Sequence, residues 1–318
     1  MSSSETPQNT IAVLLMAYGS PESVDEMEPY LLDIRGGRPT SPELVEEIKQ
    51  RYRAIGGRSP LQDVTEEVAD ALEAELNERY AGLPLKFKTY IGMRHWQPRI
   101  KDAVREIRAA GIREVIALVL APHSSHMSTG AYFERLNEAI QELGAALEVT
   151  HIENWHDHPG LIASIAEKVE TALAAFEGQE PYVIFTAHSL PARILEHGDP
   201  YAEQLEETVH LLVDRLHLRD GRWQFSYQSA GQSADTWLGP SIEEVVTEKA
   251  RNGEENLLVV PIGFVSDHVE VLYDIDVACR KLASQYGARL ERSESLNASP
   301  TFIHALADLV EAHLSVGS

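Results

Sequence analysis

The stretch Val183-Ile-Phe-Thr-Ala-His-Ser189 decides the fold, because an apolar run of strand length ends abruptly in a histidine–serine pair. Two further stretches repeat this plan, Ala117-Leu-Val-Leu-Ala-Pro-His-Ser-Ser-His126 and Leu257-Leu-Val-Val-Pro-Ile-Gly-Phe-Val-Ser-Asp-His268. Short, uninterrupted apolar runs are typical of strands that are buried on both faces of a parallel sheet. In such sheets ligands bind beyond the carboxyl ends of the strands, so the polar residues at these ends are the first candidates for chemistry.

Applied to the rest of the chain, the same pattern of apolar runs predicts an α/β protein built from two small domains. Eight strands are predicted at Ala12–Met16, Lys86–Ile91, Val115–Leu120, Glu148–Ile152, Tyr182–Ala187, Gln224–Tyr227, Leu257–Pro261 and Ala288–Leu290. Helices are predicted at Leu61–Arg79, Ile100–Ala110, Tyr132–Leu143, Leu161–Phe176, Glu203–Leu216, Ile242–Lys249, Val269–Ser284 and Phe302–His313. Alternation of strands and helices indicates parallel sheets flanked by helices. Four strands fall on each side of Pro159, which favours two four-stranded sheets over one sheet of eight.

Composition excludes several classes of partner. The 318 residues carry a net charge of −23, and such a surface repels phosphate backbones and anionic lipids. The single cysteine, Cys279, can form no internal disulfide and no four-cysteine cluster, which favours a reducing compartment. The apolar runs are strand-sized rather than membrane-spanning, and the amino terminus does not resemble a secretion signal. We therefore expect a cytoplasmic protein with no transmembrane segment and no nucleic-acid partner.

Familiar catalytic motifs are missing from the sequence. No G-x-G-x-x-G follows a strand, and neither a phosphate-binding G-x-x-x-x-G-K-[ST] loop nor a G-x-S-x-G nucleophile elbow occurs. A dinucleotide-dependent enzyme and a serine hydrolase are thus disfavoured.

A basic cluster stands out within this acidic chain. Five arginines lie between Arg35 and Arg58, together with Lys49. The planar guanidinium group binds both oxygens of a carboxylate, so the cluster is a candidate site for an anionic small molecule. The alternative is a helix face whose arginines pair with neighbouring glutamates.

A second signal is the pair His188 and Glu270, each of which follows an apolar strand. Imidazole and carboxylate groups at adjacent strand ends suit the handling of a divalent metal. Asp267 and Asp274 lie near Glu270 at helical spacing, and a solvated helix face is the simpler interpretation of these three. No H-E-x-x-H or comparable spacing occurs, so a permanent zinc site is not supported.

Five motifs in order give the chain a resemblance to the ferrochelatase family. They are Met16-Ala-Tyr-Gly-Ser-Pro21, Arg51-Tyr-Arg-Ala-Ile-Gly-Gly-Arg-Ser-Pro-Leu61, Thr186-Ala-His-Ser-Leu-Pro191, Trp237-Leu-Gly-Pro240 and Gly263-Phe-Val-Ser-Asp-His-Val-Glu-Val-Leu-Tyr-Asp274. The sequence most resembles the coproporphyrin III ferrochelatases of Gram-positive-type bacteria. The resemblance implies the chelatase fold, with two similar Rossmann-like domains at 10–155 and 156–298. It also implies a carboxyl-terminal helix within 299–318 that packs back on the first half.

The resemblance also implies residue roles. His188 and Glu270 match the catalytic, metal-handling pair, and Asp274 matches a position on the path of metal or protons. Tyr18 matches a tyrosine on the opposite face of the porphyrin, a candidate axial ligand of the product iron. The porphyrin-binding positions implied are Tyr18, Arg35, Arg51, Tyr52, Ser59 and Tyr132. Ala278 stands where relatives often carry another carboxylate, so the sequence does not decide whether a second, outer metal site exists.

The activity implied is insertion of Fe(II) into coproporphyrin III, with release of two protons, in heme biosynthesis. Fe(II) is then a substrate, and neither a permanent cofactor nor an iron–sulfur cluster is expected. We expect a monomer that passes its product to a downstream heme-synthesis enzyme. The alternatives are a protoporphyrin IX ferrochelatase, a chelatase for another metal such as Co(II), and a porphyrin or heme carrier without catalysis.

Overall fold

Two parallel β-sheets of four strands each form the framework of the protein. The computed structural model describes residues 9–231 and 235–314. In the first sheet the order is β2-β1-β3-β4, and in the second it is β6-β5-β7-β8. The strands are β1 (Asn9–Ala17), β2 (Leu85–Met93), β3 (Glu114–Val119), β4 (Glu148–Ile152), β5 (Tyr182–His188), β6 (Trp223–Gln228), β7 (Asn256–Pro261) and β8 (Arg289–Arg292). The prediction of eight strands in two sheets is confirmed.

Helices connect successive strands and cover both sheets. They are α1 (Met27–Ile34), α2 (Pro42–Ala54), α3 (Leu61–Arg79), α4 (Ile100–Ala109), α5 (Gly130–Leu143), α6 (Pro159–Ala174), α7 (Tyr201–Leu216), α8 (Ile242–Arg251), α9 (Val269–Leu272), α10 (Arg280–Gln285) and α11 (Pro300–Ala312). Short 3₁₀ turns occur at Val24–Glu26 and Ala192–His197. None of the helices in the described part of the chain is long and apolar enough to cross a membrane.

Strand β1 shows why the sequence folds into layers. Its central residues are fully buried, and successive side chains point to opposite faces of the sheet. Val13 and Leu15 pack in one cluster with Leu72 of α3, whereas Leu14 and Met16 pack in another with Val104 of α4. An unbroken apolar run therefore places hydrophobic side chains against helices on both faces, as a parallel sheet requires.

The predicted helix at Val269–Ser284 occurs, but it is not a regular α-helix throughout. The segment begins as α9, continues as a π-helical turn at Asp274–Cys279 and ends as α10. In that turn the amide of Ala278 donates to the carbonyl of Tyr273, five residues earlier. A wider turn keeps residues at four-residue spacing on one face. Val271, Ile275 and Cys279 all become fully buried, while Glu270 and Asp274 lie together on another face.

Helix α11 packs against α6 and also against α3 of the first half. Arg79 at the end of α3 makes the polar part of this contact, with ion pairs of 2.7 Å to Glu75, 2.6 Å to Asp308 and 2.8 Å to Glu311. The side chain of Arg79 is 23% exposed, so one half-buried cation holds three carboxylates. The domain limits at 155/156 and 298/299 stay predictions.

Replacement of Arg79 by methionine should lower the free energy of unfolding by about 1–2 kcal/mol, because three carboxylates lose their shared cation. Urea denaturation in low and high salt measures the effect, which should shrink in high salt. Arg135→Met is the matched control, since Arg135 and Glu138 are both about 60% exposed and 3.4 Å apart. An equal loss in both variants would contradict the role of Arg79.

Candidate active site

A cleft of about 340 Å³ lies where the carboxyl ends of strands from both sheets converge. Tyr18 directly follows β1, His188 ends β5, and Glu270 lies beyond β7 on α9. Of the residues predicted from the sequence, the cleft is lined by Tyr18, Tyr52, Ser59, Tyr132, His188 and Glu270. The rule that ligand sites follow strand ends thus locates this cavity.

His188 and Glu270 form an ion pair inside the cleft, with 3.6 Å between Nε2 and Oε2. Nδ1 of His188 donates to the carbonyl of Ser189, which directs Nε2 toward the carboxylate. Burial favours a neutral imidazole, but the charge of Glu270 outweighs it and raises the pKa of His188. Burial likewise opposes the Glu270 anion, but His188 and His268 hold the pKa of Glu270 far below its usual range.

Close backbone packing sets the position of this pair. A Cβ atom on Gly263 would lie 2.7 Å from Cβ of Ala187, so only glycine allows the loop after β7 to approach the end of β5. The carbonyl of His188 accepts a 2.9 Å hydrogen bond from the hydroxyl of Tyr201. The carbonyl of Glu270 accepts a 3.0 Å hydrogen bond from the side-chain amide of Gln228.

Asp274 lies one turn beyond Glu270. Its carboxylate accepts a hydrogen bond from the hydroxyl of Ser229 and lies 3.8 Å from the guanidinium of Arg51. Burial and the Glu270 charge raise the pKa of Asp274 to about 6, against the hydrogen bond and Arg51. Asp274 can therefore gain and lose a proton near neutral pH.

Asp267, the other carboxylate near Glu270 in sequence, has a different setting. It accepts hydrogen bonds from Ser295 at 2.8 Å and Asn297 at 3.0 Å, and it pairs with Arg292 at 3.3 Å. These contacts hold the loop that precedes α9. Asp267 therefore neither lies on a solvated helix face nor shares a metal-binding position with Glu270.

Tyr18 forms part of the cleft wall contributed by the first half. Its ring lies 4.7 Å from that of His95, and its carbonyl accepts a 2.9 Å hydrogen bond from the His95 amide. Gly19 has a φ of +90°, and a Cβ there would lie 2.9 Å from Trp96, so glycine is required at the bend. Desolvation and the Glu270 charge raise the pKa of Tyr18 to about 12, which keeps the phenol neutral.

Arg35 and Arg51 do not line the cavity. Arg35 is exposed at the end of α1 and makes no ion pair with the described residues. Arg51 pairs with Glu47 at 2.8 Å, faces Asp274 and lies over the ring of Tyr273. Arg53 also pairs with Glu46 on α2, as the helix-face alternative predicts, and Arg58, which precedes α3, pairs with Asp63. Porphyrin binding by Arg35 and Arg51 stays a prediction.

Arg94 is a cleft residue that the sequence analysis missed. Its guanidinium lies 5.3 Å from the centre of the Tyr132 ring and donates to the carbonyl of Ser128 at 3.4 Å. Arg94 directly follows β2, so the strand-end rule could have found it. His123 also lines the cavity, and the rule marks it because it lies in the stretch after β3 that is quoted above. Tyr30 on α1 and Tyr201 on α7 line the cavity from helices that the rule does not mark.

Solved structures identify the fold as that of the chelatases. The sirohydrochlorin chelatase SirB from Bacillus subtilis subspecies spizizenii matches with a TM-score of 0.58 at 11% identity, covering 96% of this chain and 95% of that one. CbiX, described as the terminal enzyme for siroheme biosynthesis in denitrifying bacteria, matches with a TM-score of 0.56 at 14% identity, covering 96% and 100%.

Sequence comparison then gives the family. The ferrochelatase family model matches residues 10–314. A ferrochelatase of Deinococcus radiodurans is 44% identical over 309 residues, covering 96% of both chains. A coproporphyrin III ferrochelatase of Geobacillus sp. is 40% identical over 304 residues, covering 94% of this chain and 96% of that one. The chain belongs to the ferrochelatase family, and it is a porphyrin metal chelatase.

Replacement of Glu270 by glutamine should lower the pKa of His188, because the charge that contributes most against burial is lost while only the Ser189 hydrogen bond and the Asp274 charge still raise it. Titration of the imidazole signals by NMR measures this shift, with the exposed His197 as an internal control. In the parent protein the pair contributes stability at low pH, down to the lowered pKa of Glu270. That contribution is lost as pH rises through the raised pKa of His188. An unchanged His188 titration in the variant would rule out the ion pair.

Proposed function

We propose that this ferrochelatase inserts Fe(II) into coproporphyrin III and releases Fe-coproporphyrin III, with loss of two protons. The observation that carries the proposal is the His188–Glu270 pair, held in a cleft that also contains Tyr18 and several side chains able to bind carboxylates. Several relatives that bear the name coproporphyrin III ferrochelatase support this choice of substrate. Fe(II) is a substrate here and not a resident cofactor.

Metallation requires that two pyrrolic N–H groups lose their protons while Fe(II) loses water. The His188–Glu270 ion pair is suited to this exchange, because an approaching dication competes with the imidazolium for the carboxylate. The imidazolium then gives up its proton and becomes a base or a ligand for the metal. Glu270 holds Fe(II) in transit or takes the second proton. Positioned acid–base groups typically contribute 10²–10⁴-fold to the rate.

Asp274 would accept the released protons and pass them to solvent. It shares a helix face with Glu270, and its pKa of about 6 suits a group that accepts and releases protons near neutral pH. The hydrogen bond from Ser229 and the nearby Arg51 fix its orientation. Ala278, the next residue on this face, offers no ligand atom, so no outer metal site is proposed there.

Tyr18 and its neighbours would position the macrocycle. A neutral phenol in van der Waals contact with one face of the porphyrin can favour a bent conformer, with binding energy from the propionates offsetting the strain. The bend exposes the nitrogen lone pairs to His188 and Glu270. After metallation, the oxygen of Tyr18 is the candidate axial ligand to the product iron.

The number of polar groups around the cleft favours the substrate with more propionates. Coproporphyrin III carries four propionates and protoporphyrin IX carries two. Arg94, Ser59 and Tyr52 line the cleft, while Arg51 and Arg35 lie outside it. Each polar group that a vinyl substituent leaves unpaired disfavours protoporphyrin by about 1–3 kcal/mol. The proposed enzyme is cytoplasmic and monomeric, and it passes its product to a later heme-synthesis enzyme.

Replacement of His188 by alanine should lower turnover at least about 100-fold while leaving porphyrin affinity nearly unchanged. Anaerobic loss of the free-porphyrin absorbance bands measures turnover, and quenching of protein fluorescence measures binding. His197→Ala, at an exposed position in a 3₁₀ turn, is the matched control. Near-normal turnover of His188→Ala would refute its catalytic role.

With Fe(II), the protein should metallate coproporphyrin III faster than protoporphyrin IX at equal concentration. The same anaerobic absorbance assay measures both rates, and Co(II) in place of Fe(II) tests the choice of metal. Equal or faster turnover of protoporphyrin would favour the protoporphyrin IX alternative. Tight porphyrin binding without metallation would instead indicate a carrier.

A further inference from the structure

A second group of metal-ligating side chains lies outside the cleft. His156 and Asp157 belong to the loop between β4 and α6, and Glu207 lies on α7. One ligand atom from each, an imidazole nitrogen and two carboxylate oxygens, lies within 4.8 Å of both others. None of the three residues lines the cleft.

The geometry of this group fits a small cation. Nε2 of His156 lies 3.0 Å from Oε2 of Glu207. Ligands about 2.1 Å from a metal in tetrahedral geometry lie about 3.4 Å from each other, so small rotations of the exposed carboxylates would complete the coordination. The hydroxyl of Thr208 donates to the carbonyl of His156 at 3.0 Å, which fixes the loop against α7 beside Glu207.

Burial of the imidazole gives independent support. The side chain of His156 is only 8% exposed, whereas Glu207 is 57% exposed. The polar contact of this buried ring is made at Nε2, which faces the carboxylate of Glu207. A buried and oriented nitrogen next to two accessible carboxylates is a preformed site whose remaining ligands can adjust to an ion.

We propose that His156, Asp157 and Glu207 bind a divalent first-row transition ion. An imidazole nitrogen combined with carboxylates favours ions such as Fe(II), Co(II) and Zn(II) over Mg(II) and Ca(II), which prefer oxygen ligands alone. This site departs from the sequence-based expectation that the protein holds no metal apart from its substrate. It is separate from the cleft, although the ring of His123, which lines the cleft, lies 6.0 Å from that of His156.

Binding of Co(II) alone, without porphyrin, tests the site in the full-length protein. His188→Ala serves as the background, so that binding at the cleft pair does not contribute. We expect one equivalent of Co(II), detected by calorimetry and by its visible d–d absorption, with displacement by Zn(II) but not by excess Mg(II). Because the experiment uses no porphyrin, its outcome is independent of the proposed function.

Glu207→Gln and Glu206→Gln form the matched pair of variants. They remove the same charge from adjacent exposed positions on α7, and neither is expected to impair folding. Loss of a ligand should weaken Co(II) at least about tenfold in Glu207→Gln, because even residues behind the ligands cost 10–100-fold. Glu206→Gln should stay within about twofold. Equal weakening in both variants, or the absence of Co(II) binding, would overturn the site.

Discussion

The close approach of Gly263 to Ala187 is the constraint on which the active site depends. Strands β5 and β7 pair in parallel, and the missing side chain of Gly263 lets the following loop pass directly beside the end of β5. That path places Glu270 within 3.6 Å of His188, although 82 residues separate them along the chain. Two charges can persist in the cleft because each offsets the desolvation of the other. Loss of either group would leave the other as an uncompensated charge in the cleft.

The Glu270 anion also organises the electrostatics of the surrounding walls. Its charge adds to burial in raising the pKa of Tyr18, Tyr52 and Tyr132. The cleft is therefore lined by neutral phenols around one anion and its imidazolium partner. Neutral hydroxyl groups donate hydrogen bonds and do not compete with Glu270 for a cation, so an incoming metal is attracted to one place. Such a distribution of charge is expected where an incoming metal ion must be directed to a bound organic molecule whose orientation is fixed.

The sequence predicted the sheets well because strands buried on both faces leave an unmistakable pattern. Val183 to Ala187 is an uninterrupted apolar run of strand length, and the strand-end rule then led to His188. Tyr18 was identified only through the family resemblance. The π-helical turn was missed because the buried residues Val271, Ile275 and Cys279 repeat at a spacing that an α-helix also allows. The group around His156 could not be found because Glu207 lies 51 residues away and only the packing of α7 brings it near.

The two halves share a fold but contribute different chemistry to the cleft. Tyr18 and Arg94 follow strands of the first sheet and offer a phenol and a guanidinium, whereas His188 and Glu270 follow strands of the second. Under the proposed function, a porphyrin has anionic carboxylates at its rim and accepts a cation at its centre. Donors for the rim and ligands for the metal must therefore be kept apart, since a guanidinium beside Glu270 would neutralise the anion that attracts Fe(II). Arg94 on the first half and the His188–Glu270 pair on the second meet this requirement, because no ion pair joins Arg94 to Glu270 among the described residues.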